Sequence, residues 1–364
     1  MQIINHYKFG TEWAEDRFDG EAAFGHMRAA FDEAATACPA ELRDAFYLFA
    51  GQNVRLRILG RELAENIRGP FSHLRLEHAV SFPQLTIELW DENLQPGFRR
   101  PPFDPDAGWH ETTVTSRDGR FLGQHLPHTF SCLDRERGQI LASIAWHDKI
   151  FIYERAKPLA RLLLNWHNDR DVQVIHTGLV ARQNKGVLFV GKSGSGKSTT
   201  SVVCLMAGFD YVSEDYVGLQ MCADGSFTGH SLYNSVFLKT DHLERFTTLA
   251  PYAIRGRLPH EEKSVVILSQ VFPERLARAV PIRALVLPHV VDATNAPLER
   301  ISKGEALLAL GPSSLIQIPN RGLGPCGFHK LAQLVEQIPC FKMEVGSNLG
   351  SIPRRLDELV AEVR

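Results

Sequence analysis

The chain has 364 residues, of which 44% are apolar and 23% charged, and its formal net charge is −2. This length accommodates two domains, and the apolar fraction is that of a globular protein with a sizeable core. A net charge so close to zero gives no electrostatic reason to expect nucleic acid or an anionic membrane as a partner.

Three further features bear on where the protein works. No run of eighteen apolar residues is present, so a membrane-spanning helix is not expected. The N-terminus lacks a basic start followed by an apolar stretch, so a signal peptide is not expected either. The six cysteines are far apart and include no Cys-x-x-Cys pair, which is typical of buried thiols in a reducing compartment. These features predict a cytoplasmic protein.

Residues 1–170 are predicted to form an N-terminal mixed α+β domain. Helical spacing of apolar residues, alternation of apolar and polar residues, and clusters of Pro and Gly distinguish its helices, strands and loops. The predicted elements are a helix over 20–39, strands over 53–60, 85–91, 138–146 and 149–154, and a helix over 157–169. No motif in this half indicates a chemistry, so a substrate-binding or regulatory role is inferred from its position alone.

Residues 171–364 are predicted to form an α/β domain. Its predicted strands lie at 171–181, 186–191, 211–215, 216–222, 281–291 and 340–346, and its helices at 197–207, 303–310, 328–338 and 352–363. Several strands follow one another without a helix between them, so the domain is not a regular βαβαβ series.

A glycine-rich stretch in this half fits the P-loop pattern G-x-x-x-x-G-K-[ST], between a predicted strand and a predicted helix. Glycines let the backbone curl so that successive N–H groups point at one anion, and the helix N-terminus adds a positive partial charge. A lysine can then hold the β and γ phosphates, and a serine hydroxyl can bind Mg²⁺. The residues expected to contact a nucleotide are Gly191, Lys192, Ser193, Gly194, Ser195, Gly196, Lys197, Ser198 and Thr199.

Two adjacent acids, Glu214 and Asp215, follow the predicted P-loop helix. Such a pair could hold a metal ion for nucleotide hydrolysis, or it could take a proton from a second substrate. The Leu-Ser-Gly-Gly-Gln signature of transporter ATPases is absent, and so is a correctly placed Asn-Lys-x-Asp motif of GTPases.

The order of His176, the P-loop Lys197 and Glu214-Asp215 resembles that of HPr kinase/phosphorylase and the HPr-kinase-related serine kinases. The core of that group is similar to ATP-dependent phosphoenolpyruvate carboxykinase. His176 precedes Lys197 by 21 residues and Glu214 follows Lys197 by 17, and both separations match the family. The resemblance covers residues 172–220 well and the rest of the second half loosely. It implies a P-loop kinase core with a mixed sheet over 171–364, and ATP and Mg²⁺ as cofactors.

Carried over to this chain, the resemblance assigns a role to each residue of the motif. Glu214 occupies the general-base position, and Asp215 with Ser198 lies on the Mg²⁺ side. Lys197 holds the phosphates, and His176 lies beside the γ-phosphate. The family forms rings, which implies a homo-oligomer, although no residue pattern here indicates an interface.

Two departures from the family concern the acceptor. The base position is Glu rather than the usual Asp, and the later Glu-Ile-Arg-Gly signature is absent. The corresponding region reads "SLYNSVFLKTDHL", which argues against HPr as the substrate and against the reverse reaction. Lys239, Lys263 and Arg283 are further candidates for phosphate or acceptor contacts.

The leading interpretation is an ATP- and Mg²⁺-dependent kinase acting on a hydroxyl, with Ser or Thr of a peptide or small protein other than HPr as the acceptor. A small-molecule kinase on the same fold is the nearest alternative. A nucleotide-binding regulator without phosphate transfer and a plain ATP hydrolase also stay open. Whether ATP or GTP is preferred is not indicated.

Overall fold

The computed structural model describes residues 18–101, 112–256, 263–292, 294, 297–316 and 325–363. These residues group into two compact units. Unit 1 comprises Met1–Arg68 and Arg75–Trp166, and unit 2 comprises Gly69–Leu74 and His167–Arg364, as far as these ranges are described. Within the described ranges, no helix combines the length and apolar character needed to cross a membrane.

Unit 1 is a mixed α/β structure. Its helices are α1 (Gly20–Ala37), α2 (Arg61–Arg68), α3 (Ile152–Ala156) and α4 (Ala160–Asn168), the last of which runs into unit 2. Its strands are β1 (Leu42–Phe49), β2 (Gln52–Leu59), β3 (Leu85–Asp91), β4 (Thr112–Thr115), β5 (Phe121–His125), β6 (Thr129–Asp134) and β7 (Gln139–Ile144). Among the described residues they form one seven-stranded sheet in the order β1-β2-β3-β7-β6-β5-β4. The β2–β3 and β3–β7 pairs are parallel, and the other pairs are antiparallel.

Helix α1 builds much of the core of unit 1. The Asp19 carboxylate caps its first turn by accepting a hydrogen bond from the Ala22 N–H at 2.9 Å. Phe24 and Phe31 lie on one face two turns apart, and both are buried against the sheet. The Phe31 ring meets Trp90 edge-on, with 6.0 Å between centroids. The helix predicted from apolar spacing is therefore confirmed.

The strand predicted over residues 149–154 is wrong, because Ile152–Ala156 form the short helix α3. Every residue from Ile150 to Tyr153 is apolar or aromatic, so the segment shows neither the period of a strand nor that of a helix. In the helix, Ile152 and Ala156 lie one turn apart and are both buried.

Unit 2 is also a mixed α/β structure. Its strands are β8 (Gln173–His176), β9 (Gly178–Arg182), β10 (Lys185–Phe189), β11 (Asp210–Ser213), β12 (Tyr216–Met221), β13 (Phe227–Ser231), β14 (Ser235–Lys239), β15 (Ile254–Arg255), β16 (Lys263–Ile267), β17 (Ala279–Val290), β18 (Leu298–Arg300) and β19 (Cys340–Val345). Its remaining helices are α5 (Lys197–Met206), α6 (Lys303–Ile316), α7 (Pro325–Gln337) and α8 (Ser351–Glu362).

A nine-stranded sheet organises the described part of unit 2. Its main path is β11-β9-β10-β17-β13-β12-β8, with β19 pairing with β17 and β18 pairing with β19. The β10–β17 and β17–β19 pairs are parallel, and the remaining pairs are antiparallel. This sheet agrees with the expectation that the domain is not a regular βαβαβ series. A separate three-stranded sheet, in the order β14-β16-β15, lies among the described residues as well.

Two apolar clusters cover this sheet. One contains residues of α5 and α8 together with Phe189. The other contains residues of α6 and α7 together with Leu188. Because successive residues of a strand point to opposite faces, the two helix pairs cover opposite faces of β10. The loop after β10 therefore emerges at the carboxyl end of a buried parallel strand, where α/β sheets place their ligands.

The segment Gly69–Leu74 packs in unit 2, although its neighbours in the sequence belong to unit 1. The buried side chain of Asn234 holds it in place. Asn234 Nδ2 donates to the carbonyls of Gly69 and Pro70 at 3.0 and 3.1 Å, and Asn234 Oδ1 accepts from the Ser269 N–H at 3.3 Å. Asn234 immediately precedes β14, so these bonds fix the start of that strand.

We expect Asn234→Ala to lower the free energy of unfolding by about 1–3 kcal/mol, because it leaves buried main-chain groups without a partner. The measurement is denaturant unfolding followed by tryptophan fluorescence and circular dichroism. Asn348→Ala, at an exposed position of the same unit, serves as the matched control and should change stability little. Equal stability of the two variants would show that the Asn234 bonds do not anchor the segment.

Candidate functional site

The glycine-rich loop connects β10 to α5 and has the strand and helix on either side that its sequence predicts. Gly191, Gly194 and Gly196 all have positive φ values, of 133°, 82° and 105°. Side chains are strained in this backbone region, so the loop depends on glycine at these positions. Lys197, Ser198 and Thr199 form the first turn of α5, where no side chain caps the free N–H groups. Such a turn is suited to an anion.

Close approach of the neighbouring strand explains the glycines at the two ends of the loop. A Cβ atom at Gly191 would lie 2.9 Å from Leu287 Cδ1, and one at Gly196 would lie 3.3 Å from Val290 Cγ2. At Gly194, by contrast, a Cβ atom would meet nothing within 4 Å. The ends of the loop are therefore packed against β17, and its middle faces open space.

Lys197 folds back over the loop. Its Nζ donates to the carbonyls of Gly191 at 2.7 Å and Lys192 at 3.3 Å. Burial lowers the pKa of Lys197 to about 8, nearby Glu214 opposes this shift, and nearby Lys263 adds to it. A triphosphate would supply the negative charge that this buried ammonium group lacks.

Ser198 and Glu214 are bonded to each other. The Ser198 hydroxyl donates to Glu214 Oε2, and the Phe237 N–H donates to Glu214 Oε1 at 3.0 Å. Glu214 is only 3% exposed, and these two hydrogen bonds give each of its oxygens a partner inside the protein. The carboxylate links the first turn of α5 to strand β14.

Asp215 and His176 form a second pair. His176 Nε2 lies 2.5 Å from Asp215 Oδ1, and both side chains are partly exposed, at 19% and 23%. The Thr177 N–H donates to the Asp215 carbonyl at 3.0 Å, which joins the turn to the end of β8. The structure thus brings together His176 and Asp215, which are 39 positions apart in the chain.

A tight turn between β11 and β12 separates the environments of the two acids. The Ser213 hydroxyl donates to the Tyr216 carbonyl at 2.7 Å and accepts from the Asp215 N–H at 3.3 Å. Glu214 contacts the first turn of α5 and strand β14, whereas Asp215 contacts the end of β8. The neighbouring carboxylates therefore have different partners and different exposure.

The three additional cations proposed from the sequence lie in two places. Lys239 and Lys263 lie opposite each other on the neighbouring strands β14 and β16. The positive charge of Lys263 contributes to the lowered pKa of Lys197. Arg283 lies near the amino end of β17, and the loop with Lys197 follows the carboxyl end of the neighbouring parallel strand β10. The structure therefore places Lys263 near the glycine-rich loop and Arg283 at the opposite end of the strands.

Two contributors to the site carried no recognisable signal in the sequence. The Phe237 N–H is a main-chain group, which every residue except proline supplies. Asn234, three residues earlier, anchors the strand that presents this N–H. Its partners at Gly69 and Pro70 lie more than 160 positions away in the sequence.

The oxygen donors of Ser198 and Glu214 are of the kind that nucleotide-bound Mg²⁺ requires. Among the described residues, no group of three or more His, Cys, Asp or Glu side chains could hold a metal ion by itself. Nucleotide-bound Mg²⁺ needs fewer protein ligands, because phosphate oxygens and water supply the rest. The Ser198 hydroxyl and the Glu214 carboxylate, which lie in hydrogen-bond contact, are oxygen donors of the type that this ion prefers.

Comparison with known proteins gives little further information. No family model matches the chain, and no curated protein matches it significantly in sequence. Among solved structures, the chain is similar to the one described as "Structure of the Hpr(Ser) kinase/phosphatase from Coxiella burnetii". The identity is 12%, the match covers 52% of this chain and 93% of that chain, and the TM-score is 0.29. At this TM-score the likeness decides neither fold nor chemistry, so the family resemblance stays a prediction from the motifs.

Proposed function

We propose that the chain is an ATP- and Mg²⁺-dependent phosphotransferase that moves the γ-phosphate to a hydroxyl group. The acceptor we propose first is a serine or threonine of a peptide or small protein other than HPr. The observation that carries the proposal is the hydrogen bond between Ser198, in the first turn of α5, and Glu214, in the turn after β11. Asp215, next to Glu214, is paired with His176.

The loop supports binding of a nucleoside triphosphate. Its positive-φ glycines, the uncapped first turn of α5 and the buried Lys197 offer main-chain N–H groups and a positive charge to one anion. Phosphoryl transfer requires mainly positioning and stabilisation of charge on the transferred group. Lys197, with Lys263 near it, supplies the positive charge at this place.

The contacts of the two acids favour a division of roles opposite to the sequence-based assignment. Glu214 is buried and bonded to the P-loop serine, which suits the residue that orients Mg²⁺. Asp215 is more exposed and paired with an imidazole, which suits the residue that takes the proton of an incoming hydroxyl. We therefore propose Asp215, oriented by His176, as the general base and Glu214 with Ser198 as the metal side.

Mg²⁺ would neutralise charge on the β and γ phosphates when bound with the nucleotide. Ser198 and Glu214 are the residues that would hold it. Their hydrogen bond fixes the hydroxyl and the carboxylate relative to each other before any ligand arrives. Preorganised ligands of this kind reduce the rearrangement that binding requires.

The first test is transfer of labelled γ-phosphate from ATP to fractions of a cell extract separated by size, in the presence of Mg²⁺. We expect the wild-type chain to label the peptide or protein fraction and Lys197→Ala to label it about 100-fold less or not at all. Arg354→Gln, which changes an exposed cation of α8 outside the loop, is the matched control.

The location of the label separates the alternatives. Label in the metabolite fraction would indicate a small-molecule kinase on the same site. Label released only as inorganic phosphate would indicate ATP hydrolysis. Tight ATP binding without any loss of γ-phosphate would indicate a nucleotide-binding regulator. The last two results would contradict phosphoryl transfer to an acceptor.

The second test separates the roles of the two acids. We expect Asp215→Asn to lower kcat by about 10²–10⁴-fold with little change in KM for Mg–ATP, because it removes the base. We expect Glu214→Gln to raise the Mg²⁺ concentration needed for half-maximal rate. Steady-state kinetics at varied ATP and varied Mg²⁺ measure both effects. The reverse pattern would restore Glu214 as the base and Asp215 as the metal-side acid.

The third test is the pH dependence of nucleotide binding. The lowered pKa of Lys197, about 8, means that this amine loses its proton as pH rises through that value. Because the triphosphate binds the protonated form, we expect Kd for Mg–ATP to increase about tenfold from pH ~7 to pH ~9. Calorimetry in buffers of different ionisation enthalpy should show proton uptake at the higher pH. Arg354→Gln should keep this profile, and a flat profile in the wild-type chain would contradict the shift.

A further inference from the structure

A second cleft lies in unit 2, away from the P-loop. Its volume is about 300 Å³, and its lining includes Arg283 in the amino-terminal half of β17, Arg300 at the end of β18, and Phe341 in β19. This is the low end of the volumes found for small-molecule sites. None of the acids or P-loop residues described above lines it.

The strand directions place this cleft at the end of the strands opposite to the glycine-rich loop. Ile282, which lines it, is paired with Gly186 near the start of β10, whereas the P-loop follows the end of that strand. Five residues of extended strand span about 16 Å. A ligand in the cleft and a nucleotide in the loop would therefore occupy separate sites.

The two arginines of this cleft form no direct ion pair among the described residues. The charge of Arg283 acts on the exposed Asp224 carboxylate without a hydrogen bond to it, and the Arg300 guanidinium lies over the Phe341 ring. Arg283 is partly buried, where a guanidinium without a hydrogen-bonded anion is costly. The Glu362 carboxylate also lines the cleft, but it is exposed and forms no ion pair with either arginine. The charge of the cleft thus favours an anion.

The floor of the cleft is apolar. Phe227, Ile282, Ile338 and Phe341 are all buried and line it. The Arg300 guanidinium lies over the Phe341 ring, 5.5 Å from its centroid. This contact orients the guanidinium beside an aromatic surface. A ligand that fits has an anionic group at the arginines and an apolar part on the floor.

The far wall of the cleft is fixed. Glu362 and Val363, at the end of α8, belong to this wall. Lys185 Nζ donates to the carbonyls of Val360 at 2.9 Å and Val363 at 2.6 Å, which ties the end of the helix to the start of β10. The cleft is therefore bounded by secondary structure.

We propose that this cleft binds a small organic anion, whose carboxylate or phosphate group is held by Arg283 and Arg300 and whose apolar part rests on Phe341. Guanidinium groups match both kinds of anion through paired N–H donors. The proposal for this cleft does not rest on the proposed phosphotransferase activity, and each can be tested without the other.

The test uses the full chain carrying Lys197→Ala, so that binding of anions at the P-loop is weakened. Phenyl phosphate, benzoate and inorganic phosphate are titrated by calorimetry and by the shift in melting temperature. We expect saturable binding of phenyl phosphate or benzoate, tighter than that of inorganic phosphate. The tighter of the two identifies the preferred anionic group.

Adding Arg283→Gln and Arg300→Gln together should weaken binding about tenfold or more, because hydrogen bonds to a charged group are lost. Arg354→Gln, at an exposed arginine of α8 outside the cleft, is the matched control and should leave binding unchanged. Melting temperatures of the ligand-free variants check that both are folded. Absence of binding by all three anions, inorganic phosphate binding as tightly as phenyl phosphate, or equal affinity in the double variant would overturn the proposal.

Discussion

The arrangement of the candidate site depends on one buried carboxylate. Glu214 is removed from water, and its two oxygens accept bonds from the Ser198 hydroxyl and the Phe237 N–H. A buried carboxylate costs several kcal/mol unless such partners compensate it. The first turn of α5, the turn after β11 and strand β14 must therefore keep their relative positions for the unit to be stable. The same constraint orients the Ser198 hydroxyl in the first turn of α5.

The constraint extends beyond these three elements. Strand β14, which presents the Phe237 N–H, begins at Asn234, and Asn234 is bonded to the main chain of Gly69 and Pro70. A segment that interrupts unit 1 in the sequence therefore helps to position the buried acid Glu214 of the candidate site. Removing that segment would leave buried donors and acceptors of unit 2 unsatisfied. Unit 2 as a folded body thus includes more than the C-terminal half of the chain.

The loop and the acidic pair could be predicted from the sequence because their chemistry is local. Glycines that need positive φ, a lysine at a helix start and adjacent acids after a strand are all visible as residue types. The partners of Glu214 could not be predicted, since one of them is the main-chain N–H of Phe237. The pairing of Asp215 with His176 could not be predicted either, because the two residues are 39 positions apart in the chain. The role of Asn234 was missed because its partners are distant in the sequence. The helix α3 was missed for a different reason, since a short, uniformly apolar run has no period.

The charges around the loop explain why an anion would stabilise this site. Burial lowers the pKa of Lys197, Glu214 opposes part of this shift, and the positive charge of Lys263 adds to it. Without a ligand, the folded chain therefore holds Lys197 in an environment that disfavours its charged form, and this costs stability below the usual pKa of lysine. A triphosphate bound here, as proposed, would remove that cost, because its charge favours the protonated amine. Part of its binding energy would then come from removing an electrostatic cost that the ligand-free protein carries, since the fold has already placed the cation there.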